Sequence, residues 1–268
     1  MTDVPTGREG GPGEVEADGA APGDGRRSSF LVAAGILLSR LSGLAREVAI
    51  SGFLGVGAAA DAFKAALRIP NLLQNLLGEG VLSASFIPVY ARLVDEDRRE
   101  AGKLAGAVAG LLCALTGVLV VVGVLLARPL TILLTPGFTG ETLDLAVTLL
   151  RIMFPGIGFL VLSAWCLGIL NSHRRFFLSY VAPVLWNAAQ IAIVVTVGIV
   201  GASDEGIAAA LAWGVLVGGV LQLAVQLPAV RSLTPDLRLS LDRRSPEIRS
   251  VLGRFGTVVV GRGAVQLL

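Results

Sequence analysis

Seven ionisable side chains crowd two otherwise apolar stretches near the start of this 268-residue sequence: Arg40, Arg46, Glu47, Asp61, Lys64, Arg68 and Glu79. A charge at the centre of a bilayer costs about 2.5–3.5 kcal/mol even on lenient insertion scales, so such residues should line a polar path rather than face lipid. Arginine brings a specific chemistry. Its guanidinium stays charged at any accessible pH and meets a phosphate with two parallel hydrogen bonds. Arg40, Arg46 and Arg68 are therefore candidate ligands for an anionic cargo. Asp61, Glu79 and Glu47 are candidates for pairing with or gating them. A second reading stays open: pairs such as Arg46 with Asp61, or Arg68 with Glu79, only hold helices together. Pairing alone makes a costly glue, because desolvation usually offsets the attraction.

Helical spacing arranges these groups. At about 100° per residue, Asp61, Lys64 and Arg68 (i, i+3, i+7) share one face. Glu79 follows Asp61 by five full turns and joins the same stripe if the helix is unbroken. Pro70, with Asn71 after it, and the Gly78-Glu79-Gly80 triplet offer places for a kink or break. Arg40 and Glu47 share a face, while Arg46 lies well around from Arg40.

The elements that position them are membrane helices. Leu104–Ala127, Ile152–His173, Phe176–Ala202 and Gly206–Val230 contain no charged residue. Each exceeds the roughly 20 residues that span a hydrocarbon core. Charged residues make up 16% of the chain, against about 25% in soluble domains. A β-barrel would show alternating segments of about ten residues instead. The expectation is an all-α polytopic membrane protein with segments at about 29–54, 58–91, 104–127, 143–171, 176–201, 206–230 and 248–268. Pro155 and Pro183 are expected to bend the fourth and fifth. Residues 1–28, rich in glycine and acids, are expected to be a disordered tail. Residues 231–247 form a basic loop, and 248–268 begin a seventh helix. The sequence stops in apolar text, which suggests a fragment or a truncated frame.

Loop charge sets orientation. With the N-terminus inside, the inner loops carry Arg92, Arg98, Arg99, Lys103, Arg174, Arg175, Arg231, Arg238, Arg243, Arg244 and Arg249, and the outer loops carry only Arg128. The basic residues are scattered over short loops, which argues against nucleic-acid binding. No phosphate-loop motif, metal-ligand spacing or hydrolytic arrangement is visible. Cys113 and Cys166 read as buried free thiols, His173 as a loop residue, and Asn187, Gln190, Gln222 and Gln226 as interhelical hydrogen-bonding groups.

The run Ser39-Arg40-Leu41-Ser42-Gly43-Leu44-Ala45-Arg46-Glu47, followed by Asp61-Ala62-Phe63, Pro70-Asn71-Leu72-Leu73, Gly78-Glu79-Gly80, Phe86 and Pro88-Val89, closely resembles the opening of the MurJ/MviN family of lipid II flippases. Pro136-Gly137-Phe138, Leu170-Asn171, Ala182-Pro183 with Asn187, and Gly219 to Leu223 continue the resemblance, which covers roughly residues 30–268. It implies the six-helix N-terminal lobe of the multidrug/oligosaccharidyl-lipid/polysaccharide exporter fold plus the start of a seventh helix. It also implies a transporter rather than an enzyme, in a bacterial plasma membrane, with no cofactor. The implied cargo is lipid II, and cell-wall synthesis proteins are candidate partners. Family arginines fall on Arg40 and Arg46, a basic position on Arg68, and family acids on Asp61 and Glu79. Gln74-Asn75 stand where many relatives are basic, and Gly78 replaces a common alanine. The alternatives are export of another polyprenyl-linked oligosaccharide or of drugs, or a truncated product that does not transport.

Overall fold

The computed structural model describes residues 22–243 and 245–267, with side chains from 33 to 261 apart from Glu79 and Arg244. Among the described residues there are ten helices and no strand. They are α1 (Pro22–Leu54), α2 (Ala58–Leu77), α3 (Glu79–Ser85), α4 (Ile87–Glu96), α5 (Arg98–Leu125), α6 (Ala127–Leu134), α7 (Gly140–Ser172), α8 (Phe176–Ile199), α9 (Asp204–Leu233) and α10 (Pro246–Leu267). The expected disordered tail lies mostly outside the described residues. Its last seven residues, 22–28, belong to α1.

Local chemistry sets several boundaries. Asp97 accepts the amides of Arg99 (2.9 Å) and Glu100 (3.2 Å) and so caps α5. Ser203 accepts the amide of Gly206 (3.2 Å) at the start of α9, where Asp204 and Glu205 also suit the positive end of the helix. The long second segment does not break at Pro70, which is buried inside α2. It ends at Gly78, where a Cβ would lie 2.3 Å from the carbonyl oxygen of Gln74. Glycine fits this break because a side chain there would meet that carbonyl. A second joint at Phe86 sets Ala58–Ser85 and Ile87–Glu96 at 40°. Pro155 and Pro183 interrupt neither α7 nor α8.

Four helices, α5, α7, α8 and α9, are long and apolar enough to cross a membrane, and the bent α2–α4 unit makes a fifth. α1 falls outside that count although its 33 residues span about 50 Å.

α7 is the hub. It packs on α9, α2 and α5, while α8 packs on both α9 and α1. Leu149, Leu150, Met153, Phe154 and Leu211 are fully buried in this bundle. Between helices in lipid there is no hydrophobic drive, so close packing and polar contacts hold them. Ser163 on α7 supplies one such contact. It accepts from Gln222 Nε2 (2.8 Å) and donates to Gln226 Oε1 (2.7 Å), which fits the expected role of these glutamines. The outer faces are apolar and exposed at Val118, Val121, Leu125 and Val217, as lipid-facing surfaces must be. Of the two cysteines only Cys166 is buried. Cys113 is exposed on such a face, a correction to the sequence expectation.

The basic loop is shorter than the expected 231–247. α9 continues to Leu233, and the chain then runs along α5. Gly102, Gly106 and Gly110 (i, i+4, i+8) form the groove. A Cβ on Gly106 would sit 2.0 Å from the Arg238 carbonyl oxygen, and one on Gly110 2.1 Å from that of Ser240. The Ser240 amide donates to the Gly106 carbonyl at 3.3 Å.

Candidate functional site

α1 is fixed along α8 by a line of specific contacts. Asn187, buried on α8, donates to Ser42 Oγ (2.9 Å), which itself donates to the Ser39 carbonyl (2.8 Å). One turn further, the Arg46 guanidinium lies 4.7 Å over the centre of the Trp186 ring. Such a stack is worth about 0.5–2 kcal/mol, the upper end applying when the cation is desolvated. Arg46 also pairs with its neighbour Glu47. Its side chain is 20% exposed against 60% for Glu47, so the guanidinium is half-sunk and its acid stands outward. Three donors in this region, Arg46 Nε, Trp186 Nε1 and Gln190 Nε2, are buried without a hydrogen-bond partner. Trp186 in turn fits against Gly218 of α9, where a Cβ would come within 2.6 Å of the indole. Arg40, by contrast, is exposed, as is Glu47 on the same face.

α2 is amphipathic in a simple way. Ala59, Ala62, Phe63, Ala66, Pro70 and Leu77 are buried against the bundle. Asp61, Lys64, Arg68, Asn71 and Asn75 (i, i+3, i+7, i+10, i+14) are all exposed on the opposite side. The predicted common face of Asp61, Lys64 and Arg68 is therefore present. The unbroken helix that would carry the stripe on to Glu79 is not, because α2 ends at Leu77 and Glu79 opens α3, with Gly80 behind it. The Glu79 side chain, and with it the pair with Arg68, lies outside the described residues.

The two charged helices do not clasp each other. α1 packs on α8 and α2 on α7, and both touch α9 behind them. Among the described residues the ion pairs are Arg46–Glu47, Arg92–Glu96, Lys103–Glu100 and Arg128–Asp144. None joins α1 to α2, and the pair between Arg46 and Asp61, one of the two that the structural reading offered as examples, is not formed. The exposed faces of α1 and α2 carry the cations Arg40, Lys64 and Arg68 together with the acids Glu47 and Asp61. Among the described residues no group of three His, Cys, Asp or Glu could hold a metal. Fixed cations of this kind bind and orient an anion. They do not by themselves transfer protons.

Sequence reasoning missed Trp186. It lies 140 positions from its partner, and a tryptophan in an apolar run carries no local signal of a cation above it. The role of His173 was also underread. It caps α7, and its Nε2 is 3.0 Å from the Tyr90 hydroxyl of α4. Burial chiefly, then the charges of Arg98 and Arg175, lower its pKa below the usual 6.5.

Residues 50–268 match the family model described as lipid II flippase MurJ, a range that begins after Arg46. Among curated proteins, the chain is 38% identical over 248 residues to the lipid II flippase MurJ of Burkholderia cenocepacia, covering 90% of this chain and 48% of that protein. It is 36% identical over 244 residues to a probable lipid II flippase MurJ of Rhizobium tropici, covering 89% and 46%. The chain thus spans about half the length of the curated relatives it matches. Among solved structures, an inward closed conformation of lipid II flippase MurJ superposes with a TM-score of 0.68 at 24% identity over 86% of this chain and 48% of that one. An outward-facing multidrug resistance MATE family transporter of the MOP superfamily gives 0.67 at 19% identity over 92% and 54%. These two likenesses speak for the fold alone: the N-terminal lobe of an exporter in a multi-pass membrane protein. Together with the family match over four-fifths of the sequence, they establish that the chain belongs to the MurJ family of lipid II flippases.

Proposed function

We propose that this chain forms one wall of a path that carries lipid II, the undecaprenyl-pyrophosphate-linked disaccharide pentapeptide, from the inner to the outer leaflet for cell-wall synthesis. Arg46, Arg40 and Arg68 bind the pyrophosphate. Asp61, Glu79 and Glu47 exchange partners with these arginines as the lobes rock. The polyprenyl tail stays in lipid, and residues equivalent to the other half of the longer relatives supply the facing wall. One observation carries the reading: each of two helices backed by α9 turns an arginine-bearing face outward, and no ion pair among the described residues joins them. Charges that served only as glue would be paired across that gap. The N-terminus lies in the cytoplasm, on the side that holds eleven of the twelve basic loop residues, and the inside-negative potential can drive a cationic wall or a coupled ion between its two positions. Proteins of cell-wall synthesis are candidate partners.

The test is a chimera in which residues 30–268 replace the matching half of the Burkholderia relative, expressed in a strain depleted of its own flippase. Growth should be rescued, and lipid II should become accessible at the outer face of spheroplasts. Rescue by an Arg46→Ala chimera at equal membrane abundance would remove Arg46 from the mechanism. Rescue without outer-face lipid II would point to another cargo.

A further inference from the structure

We propose that the cleft between the α7–α8 turn and the C-terminal end of α9 is a headgroup site for an anionic phospholipid of the surrounding leaflet, held by Arg174 and Arg175. The cleft measures about 420 Å³, and Phe177, Ser232 and Leu233 complete its working surface. Its lining includes two arginines and no carboxylate. Neither arginine takes part in an ion pair among the described residues. This is not a general property of that end of the molecule. The neighbouring cleft of about 470 Å³ beside α5 sets Arg99, Lys103 and Arg238 against Glu100, Asp236, Asp242 and Glu247, and so neutralises itself.

Position argues for a lipid rather than a soluble anion. The turn lies between Gly140–Ser172 and Phe176–Ile199, two helices long and apolar enough to span. A residue between their ends stands at headgroup depth. Phe177, 64% exposed, adds an apolar surface beside the two cations, as a phosphate joined to acyl chains requires. Basic pockets between membrane helices are suited to such headgroups. Arg175 is also close enough to His173 to help lower its pKa, so the local field is positive.

The backbone supplies a handle for the test. Arg174 has φ of +58°, in the left-handed region, just after the end of α7. Glycine is the residue that commonly closes a helix in this conformation, because a Cβ is strained there. An arginine at that position gives up stability for its charge.

The experiment titrates the purified 268-residue chain in detergent with phosphatidylglycerol and counts retained lipid by native mass spectrometry, beside a thermal unfolding scan. An Arg174→Gln/Arg175→Gln double variant should bind phosphatidylglycerol at least about tenfold more weakly, each surface arginine contributing about fivefold. Arg174→Gly should melt at a higher temperature than the parent chain and still bind the lipid several-fold more weakly. That combination separates a ligand role from a folding role. Arg99→Gln/Lys103→Gln, in the neutralised cleft, should leave affinity within twofold. Unchanged affinity in the double variant overturns the proposal, and so does displacement of the lipid by millimolar inorganic phosphate. Neither result bears on the Arg46 reading, whose test is rescue of growth.

Discussion

Arg46 on α1 and Arg68 on α2 are the same residue type on two helices that share α9 as a backing, yet they are held differently. Arg46 is half-sunk, lies over Trp186 and is paired with Glu47. Arg68 is exposed on an open stripe, and among the described residues no ion pair joins it to α1. A cation already oriented loses less freedom when an anion arrives, so under the proposed function Arg46 would be the stronger ligand and Arg68 the weaker. The indole is the means of this difference. It lies against the guanidinium face, while one edge of the group pairs with Glu47.

The comparison can be broken in order of expected effect. Arg46→Ala should abolish rescue in the chimera, while Arg46→Lys should restore little, because an ammonium cannot meet a phosphate bidentately. Trp186→Leu keeps the packing volume apolar but removes the ring. It should lower flipping by about tenfold, in line with a cation–π stack of 1–2 kcal/mol, and Trp186→Phe should recover part of that loss. Equal activity in the Leu and Phe variants would show that Trp186 acts by packing alone. Arg68→Ala should reduce lipid II accessibility less than Trp186→Leu does. An Arg68→Ala defect as severe as that of Arg46→Ala would reverse the ranking.

The smallest effect lies outside this wall. The lowered pKa of His173 means that the unfolded chain takes up a proton there more readily than the folded one. Above about pH 6.5 the imidazole is neutral in both states and the site leaves stability unchanged. As pH falls below 6.5, stability should decline until the folded-state pKa is passed. A thermal scan from pH 7.5 to 5 should show a small drop in the melting temperature that His173→Gln reduces, with no matching change in the ranking of the arginine variants.

The sequence was most readable where periodicity and composition coincide. Four uncharged runs announced α5, α7, α8 and α9 because a span needs only length and apolarity. The common face of Asp61, Lys64 and Arg68 followed from helical geometry, which holds as long as the helix does. Its extension to Glu79 depended on an unbroken helix, and α2 ends at Leu77. α1 was legible both through its apolar text and through its motif. The strap of residues 235–242 on α5 was invisible, although Gly102, Gly106 and Gly110 stood four apart in plain view, because a groove does not say which backbone will fill it.

By itself, then, the sequence determined the membrane class, the amphipathic face of α2 and the arginines available for an anion, since these depend on spacing within one helix and on the cost of charge in lipid. Tertiary structure alone decided that Arg46 lies over Trp186 rather than beside Asp61, that α1 and α2 stand apart against α9, and that Arg174 and Arg175 share a cleft without an acid. Those arrangements join residues far apart in the chain. Helix packing chooses among them, and no local periodicity records the choice.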